Sequence, residues 1–473
     1  MLTGRADDGI EWLAWGAGAF ARASLERKPV LLSITAAWCG ACDEMHRTTY
    51  ADPEVAALIR GRFVPVRVDT DRRPDINDRY NLGGWPTTAF LTAEGALITG
   101  GTFVPRDRMA SVLARVADAA SGVDPSAPAA IAAEPAPDEA EGADAHDGSV
   151  DAIFATFDEE FGGFGLEPKF PHAAPLHLAM ALFRDSADDR WRRIVERTLD
   201  AMAEGGLWDR AAGGFYRYAT TRDWQAPHRE KLLDPNAALL RAYAESALVF
   251  GRPADRDRCA AIARFITTVL RADTGGYHGS DAEPVIYADG NAAAAGALLG
   301  AATVLDDSAL AQEALASFER VVLACYKPGL GMAHYFDGAA HVRGLLADQV
   351  AAIAALLDAF DVSDAEPYRM MAEELGHVAI RDLWDTRDGG FFDRTPGPDD
   401  LGLLRSRRKP FVANADAAAA LARLSRLEPR KGFPDPALFR EYALGALSAA
   451  SRHLSGQGPL AAHYALARRL LIN

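Results

Sequence analysis

The sequence predicts a multi-domain chain, a small α/β domain followed by an all-α (α/α)6 toroid. Three observations carry that expectation. Strand and helix signals alternate over the first 120 residues, an acidic Ala- and Pro-rich stretch follows, and beyond it helical segments recur in pairs around a Gly-rich turn. At 473 residues the chain is too long for one ordinary core.

In the first domain, residues 1–120, Pro29 to Ile34 is a short apolar run that reads as a buried strand. Cys39 to Thr48 has helical character. Asp52 suits an N-cap, with Pro53 at the first helical position of a helix running to Arg60. Phe63 to Val68 is rich in β-branched residues and reads as a second strand. Thr87 to Leu91 and Ala96 to Ile98 read as a hairpin, and Asp107 to Ala119 as a closing amphipathic helix. This order suits a small sheet covered by helices on both sides.

Residues 121–147 hold Ala, Pro, Asp and Glu and almost no aromatic or branched side chain. Such a segment buries too little apolar area to offset its ordering entropy, so a linker is expected there.

From 148 to 473 the pattern is helical only. Twelve segments are expected, near 147–157, 175–184, 189–204, 235–250, 254–272, 289–304, 307–325, 344–361, 365–383, 414–425, 436–454 and 459–471. A Gly-rich turn recurs at Gly162-Gly163-Phe164, Gly213-Gly214-Phe215, Gly275-Gly276-Tyr277, Gly329-Leu330-Gly331 and Gly389-Gly390-Phe391, with copies 51 to 62 residues apart. A repeat of that period is a two-helix unit that must bury one face against its neighbours. Six hairpins closing on themselves give the toroid; an open α-solenoid is the alternative.

The net charge of −16 argues against a nucleic-acid partner, which needs a basic surface. Seven of the acidic residues lie between Ser121 and Val150, so the acidity says little about substrate. No run of eighteen apolar residues and no basic-then-apolar leader is visible, so no membrane partner and a cytoplasmic location are expected. Four cysteines make no disulfide framework, and in a reducing compartment a Cys-x-x-Cys pair is read as redox-active or metal-binding.

That pair is Trp38-Cys39-Gly40-Ala41-Cys42, where a strand should end and a helix begin. A helix N-terminus offers free N–H groups and the positive end of its dipole, which lowers the Cys39 thiol pKa and favours the thiolate. Cys42, one turn in, is placed to resolve a mixed disulfide. Trp85-Pro86-Thr87 precedes the third strand, and Pro86 is a candidate cis residue beside the cysteines. Trp38 and Trp85 flank these groups and are candidates for contact with a bound partner. Two other readings stay open: a zinc site made by Cys39, Cys42 and His46, which lacks a fourth ligand, and a pair that never cycles. Cys259 and Cys325 lie inside helical runs and read as small core residues.

These features resemble the thioredoxin superfamily. The resemblance implies that Cys39 attacks, Cys42 resolves and Pro86 is cis. It departs at Ser33, where thioredoxins keep a buried Asp, which implies less efficient proton transfer from Cys42.

Polar residues also gather at loop-to-helix junctions of the second domain. His172, Asp209, His228, Glu230, Asp281 and Asp348, with Trp208 and Tyr218, offer the carboxylates, imidazoles and aromatic faces that a sugar site needs. Arg343 and Asn414 add further polar groups. The plainer reading of each is a helix cap, a closed turn or a solvated charge pair.

Four stretches extend the resemblance: Gly-Gly-Phe-Gly-x-x-Pro-Lys-Phe-Pro-His at 162–172, Gly-Gly-Leu-Trp-Asp-x-x-x-Gly-Gly-Phe-x-Arg-Tyr at 205–218, Pro-His-x-Glu-Lys-x-Leu-x-x-Asn at 227–236 and Arg-Gly-Leu-Leu-x-Asp-Gln at 343–349. With the cysteine domain they resemble the spermatogenesis-associated protein 20 family (DUF255). That family implies a thioredoxin-like domain fused to a six-hairpin toroid akin to N-acylglucosamine 2-epimerases and related glycosidases. The chain departs from it at Asp43, where a His is usual, and in a shortened acidic motif around Asp281. The expectation is a thiol–disulfide oxidoreductase whose toroid binds a carbohydrate-like ligand or a protein partner, with no cofactor and no metal. A sugar-processing enzyme (epimerase, isomerase or glycosidase type) with a structural thioredoxin-like domain, and a non-catalytic scaffold, are the alternatives.

Overall fold

A computed structural model describes residues 9–120, 150–431 and 434–472. The linker expected at 121–147 lies outside them. Two compact units divide the chain: Met1–Glu134 together with Pro396–Arg407, and Pro135–Thr395 together with Arg408–Asn473.

The first unit is built on a four-stranded sheet in the order β2-β1-β3-β4. β1 (Val30–Thr35) runs parallel to β2 (Val64–Asp69) and antiparallel to β3 (Thr87–Leu91), which pairs antiparallel with β4 (Leu97–Gly101). Every residue of β1 is buried because both faces of the sheet are covered. Val30, Leu32 and Ile34 pack with Phe20 of α1 (Ala17–Glu26) and Tyr80 of α4 (Pro74–Tyr80). Leu31, on the opposite face, packs with Ile59 of α3 (Pro53–Arg62) and Leu113 of α5 (Arg106–Ala120). α3 starts as its sequence requires: the Asp52 carboxylate accepts from Glu54 N–H and Val55 N–H, with Pro53 in the first turn. α2 (Gly40–Met45) is shorter than the expected 39–48 and continues as a π-helical turn, His46–Tyr50. Helices α1 and α4 have no counterpart in the sequence reading.

One piece of this unit comes from far along the chain. Pro396–Arg407, expected within the toroid span, clusters with the sheet domain. Its Leu-Gly-Leu-Leu run buries Leu404 in the α1–α4 cluster. Arg79 donates to the carbonyls of Leu403 and Ser406 at 3.2 and 2.8 Å, and Leu403 N–H donates to the Tyr80 hydroxyl at 2.8 Å. Burial pushes the Tyr80 phenol up to about 12, so it stays a neutral donor to the Gly95 carbonyl.

The second unit is a closed ring of six inner helices. α7 (Ala174–Ser186), α9 (Leu233–Phe250), α11 (Ala288–Leu305), α13 (Leu346–Ser363), α15 (Phe411–Leu424) and α17 (Ala461–Ile472) each touch the next, and α17 touches α7. Between them run the outer helices α8 (Asp189–Glu204), α10 (Pro253–Thr268), α12 (Ser308–Cys325), α14 (Glu366–Leu383) and α16 (Leu438–Ser451). Ile153 of a short helix α6 (150–154) packs on Ala461 and Ala465 of α17, so the two ends of the unit complete the sixth hairpin. Ala-rich faces of α11 and α15 let the inner helices approach closely. The expected helices are present among the described residues, the first of them only over 150–154 because 147–149 lie outside, but the unit is not helical only. Between α12 and α13 lies an antiparallel hairpin, β9 (Gly331–Phe336) and β10 (Ala340–Arg343), whose edge pairs with β7 (Ile286–Tyr287).

Four of the five Gly-rich turns share one construction; Gly329-Leu330-Gly331 instead closes a short β-hairpin between Tyr326–Lys327 and Gly331–Met332. After the outer helix, the chain closes on itself: Asp209 N–H donates to Gly214 C=O and Gly213 N–H to Asp209 C=O, both at 3.0 Å. Gly214 has φ +80°, and a Cβ there would lie 2.7 Å from the Phe265 ring, so only glycine fits. An amide side chain in the first turn of the next inner helix then pairs with the backbone of the aromatic residue. Asn236 accepts from Phe215 N–H at 2.7 Å and donates to its C=O at 3.0 Å; Asn414 does the same with Phe391, and Asn291 with Tyr277. Gln349 repeats it on Met332. An Asp–Lys pair locks three of the turns: Asp209–Lys231, Asp385–Lys409 and Asp158–Lys169, each at 2.6 Å.

Asp158 and Lys169 have fully buried side chains. Burial alone would raise the Asp158 carboxyl, but hydrogen bonds from Arg222 and Lys169 outweigh it and hold it well below the usual carboxylate range. Asp158→Asn therefore strands a buried ammonium, and urea unfolding should show a loss of about 3–5 kcal/mol. Because the folded carboxyl is depressed, the wild-type contribution is complete above the carboxylate's unfolded pKa and is lost as pH falls toward the folded one, so the difference between wild type and variant should shrink in acid. Asn414→Ala leaves the buried Phe391 N–H and C=O without partners. At about 1–3 kcal/mol each, it should lower stability by roughly 2–6 kcal/mol in the same measurement.

Candidate functional site

The cysteine site follows from how β1 ends. Cys39 is the N-cap of α2, in an extended conformation, and its Sγ accepts from Cys42 N–H at 3.1 Å. Cys39 and Cys42 form a disulfide. Both residues are buried, with 5% and 3% of their surface exposed. Trp85–Pro86 is a cis peptide. The residues before Cys39 and Pro86 meet, with the Trp38 and Trp85 rings 5.6 Å apart and edge to face, so the two loops lie together. Asp71 accepts from the Trp38 indole at 2.5 Å, and Asn77 from the Trp85 indole at 3.1 Å. The sulfurs are bonded to each other and are not available as a metal pair; His46 is buried near Arg67. Ser33 is buried and its hydroxyl has no hydrogen-bond partner among the described residues, so no carboxylate stands there to take a proton from Cys42. Cys259 and Cys325 are core residues whose thiols burial pushes up to about 12.

In the ring, each inner helix is followed by an outer one that returns, so all six inner helices run in the same direction. Their N-terminal ends share one end of the ring, and the candidate residues that precede or open them collect there. Phe170, Tyr218 and His228 form a stack with centroid spacings of 4.8 Å. The two-residue strands β5 (Tyr218–Ala219) and β6 (Pro227–His228) hold it, pairing Tyr218 with His228. Glu230 Oε1 lies 2.7 Å from His228 Nδ1. His172 is lowered from the usual imidazole value by burial and then by the nearby His463. His463 goes the other way: burial opposes its charge, but Asp416, 2.7 Å from its Nδ1, raises it.

Asp348, in the first turn of α13, is fully buried. Its Oδ1 lies 2.8 Å from His334 Nδ1, on β9. Burial pushes the carboxyl up to about 6 despite that imidazole. Asp289, in the first turn of α11, completes a cluster with these two. Tyr287 borders it, 5.5 Å from the His334 ring, and donates to Glu283 at 3.2 Å.

Other candidates have different surroundings. Asp209 is occupied by Lys231 and by the N–H groups of Ala211 and Ala212, which hold its carboxyl well below the usual range against the effect of burial. Trp208 packs edge-on against Phe215 and under Arg258 of the outer helix α10. Arg343 donates to the carbonyls of Cys325 and Gly331, both at 2.9 Å. Asn414 uses both amide protons on Phe391 and Pro410. Asp281 is exposed. Asp289, His334, Asp416 and His463 were not singled out from the sequence. A signal existed for Asp289: acidic residues open α9, α11 and α13 alike, as Asp234, Asp289 and Asp348.

Residues 1–121 match the family described as "Protein of unknown function, DUF255". Spermatogenesis-associated protein 20 of Rattus norvegicus is 28% identical over 313 residues, 59% of this chain, and the match spans 39% of that relative's length. The thiol:disulfide interchange protein DsbD of Vibrio vulnificus is 35% identical over 79 residues, 16% of this chain and 13% of that protein. Among solved structures, cellobiose 2-epimerase of Bacillus thermoamylovorans superposes with a TM-score of 0.57 at 13% identity, over 69% of this chain and 97% of that one. At that identity the likeness is one of fold. No helix among the described residues is long and apolar enough to cross a membrane. The chain is thus similar to spermatogenesis-associated protein 20, with a first domain that matches the DUF255 family and a second unit that has the ring fold of the 2-epimerases.

Proposed function

We propose that the chain is a thiol–disulfide oxidoreductase acting through Cys39 and Cys42 in a reducing, cytoplasmic compartment, and that its toroid binds a carbohydrate-like ligand. The observation that carries the first half is Cys39 capping α2 while bonded to Cys42, beside the loop of cis-Pro86. A Cys39 thiolate at that helix end attacks a partner disulfide, forming a mixed disulfide and expelling one partner thiolate. Cys42 then attacks the Cys39 sulfur, releases the second partner thiolate and restores the intramolecular disulfide, which an external dithiol must reduce. The likeness to the interchange protein DsbD over 79 residues supports the same chemistry.

The second half rests on the Phe170–Tyr218–His228 stack beside Glu230, an aromatic face with polar neighbours of the kind that receives a sugar ring. A sugar-processing enzyme is the second reading. One observation favours it: His172 and His463 interact and are pushed in opposite directions, the arrangement expected of a general base and a general acid. The epimerases and isomerases that share the ring fold make sugars the first ligands to try.

Two expected outcomes test these readings in the full chain. Cys39→Ser should reduce insulin disulfides no faster than the uncatalysed reaction, and Cys42→Ser should accumulate a mixed disulfide on Cys39; undiminished reduction by Cys39→Ser removes the oxidoreductase. In calorimetry against a panel of mono- and disaccharides, Tyr218→Ala should weaken binding about 2- to 10-fold, the loss of one stacked ring. Conversion of a panel sugar that persists in Cys39→Ser and is lost in His463→Asn would favour the second reading.

A further inference from the structure

We propose that Asp289, His334 and Asp348 form a site for one divalent cation of the Mn2+ or Zn2+ class at the inner-helix end of the toroid. One donor atom from each residue lies within 4.8 Å of the others. Tetrahedral ligands at 2.0–2.3 Å stand about 3.3–3.8 Å apart, so side-chain movements of up to about 1 Å close the three around an ion.

The second observation is independent of that spacing. Asp348 is fully buried; one oxygen faces His334, and the other, Oδ2, has no hydrogen-bond partner among the described residues. Its only ion-pair partner there is His334. Buried polar atoms are almost always satisfied, and a buried carboxylate with a bare oxygen is expensive unless something positive completes it. The neighbouring arginine does not: Arg343 is spent on the carbonyls of Cys325 and Gly331. Asp289 adds a second negative charge to the same space, which deepens the need.

A cation answers both. Two carboxylates cancel its charge, and the imidazole supplies the nitrogen that favours Mn2+ or Zn2+ over Ca2+ or Mg2+. His334 Nδ1 and Asp348 Oδ1 already face each other at 2.8 Å, so two donor atoms of the cluster converge on one point. Asp289 is half-buried and so leaves a way in. Tyr287 packs against the His334 ring and donates to Glu283. Three protein ligands leave coordination positions for water or a bound oxygen. This site is separate from the cysteine pair and stands or falls independently of the thiol chemistry.

The test uses untagged full chain with Cys39→Ser and Cys42→Ser, so that thiolates cannot bind metal. After equilibrium dialysis against Mn2+ or Zn2+, elemental analysis should find one equivalent per chain, and the ring's thermal transition should rise with metal. Asp348→Asn and Asp289→Asn should each weaken binding at least 10-fold. Absence of saturable binding overturns the proposal, and so does unchanged affinity in Asp289→Asn. That variant alters a half-buried residue at a helix start, so it decides the matter even if Asp348→Asn fails to fold.

Discussion

The ring depends on one repeated interaction, an amide side chain in the first turn of an inner helix that pairs with the backbone of the preceding Gly-rich turn. Asn236, Asn291, Gln349 and Asn414 each present an acceptor to a buried N–H and a donor to the C=O of the same residue. A peptide group can be satisfied this way only by a group shaped like another peptide, which is why Asn and Gln recur there. Each bond pair fixes where an outer helix ends relative to where the next inner helix begins. The segments before the inner helices are gathered at one end as a result, and the chemistry of the ring is concentrated there.

The same economy explains what could be read in advance. Helix boundaries were legible because the 3.6-residue pattern, the glycines and the caps agree locally. The α/β domain was legible for a related reason: β1 is apolar at nearly every position, as a strand covered on both faces must be. Residue type alone does not separate a polar side chain serving the backbone from one facing a cleft. Asp209, Arg343 and Asn414 looked like binding groups because they are polar residues at loop-to-helix junctions, and their partners turn out to be a lysine and main-chain atoms. His334 was missed for the converse reason. It lies on a short strand inserted where helices dominate the pattern, and its pairing with Asp348 depends on a hairpin whose register no local signal announces.

At the cysteine pair, the Cys39 sulfur already accepts the Cys42 N–H while the disulfide is closed. That donor belongs to the helix backbone and remains in place when the bond opens, so the negative charge on a released thiolate meets a preformed partner. In the oxidoreductase proposed above, the buried Ser33 hydroxyl would be a poor acceptor for the Cys42 proton.

Pro396–Arg407 completes the first unit, with Leu404 in its core and Arg79 and Tyr80 bonded to the segment's backbone. During synthesis, the sheet and its five helices leave the ribosome long before that segment exists. At about 5–20 residues per second the interval is roughly 15–60 s. Throughout it, the groove that will receive Leu404 stands open, and a nascent chain must carry an unfinished first unit until most of the ring has been translated.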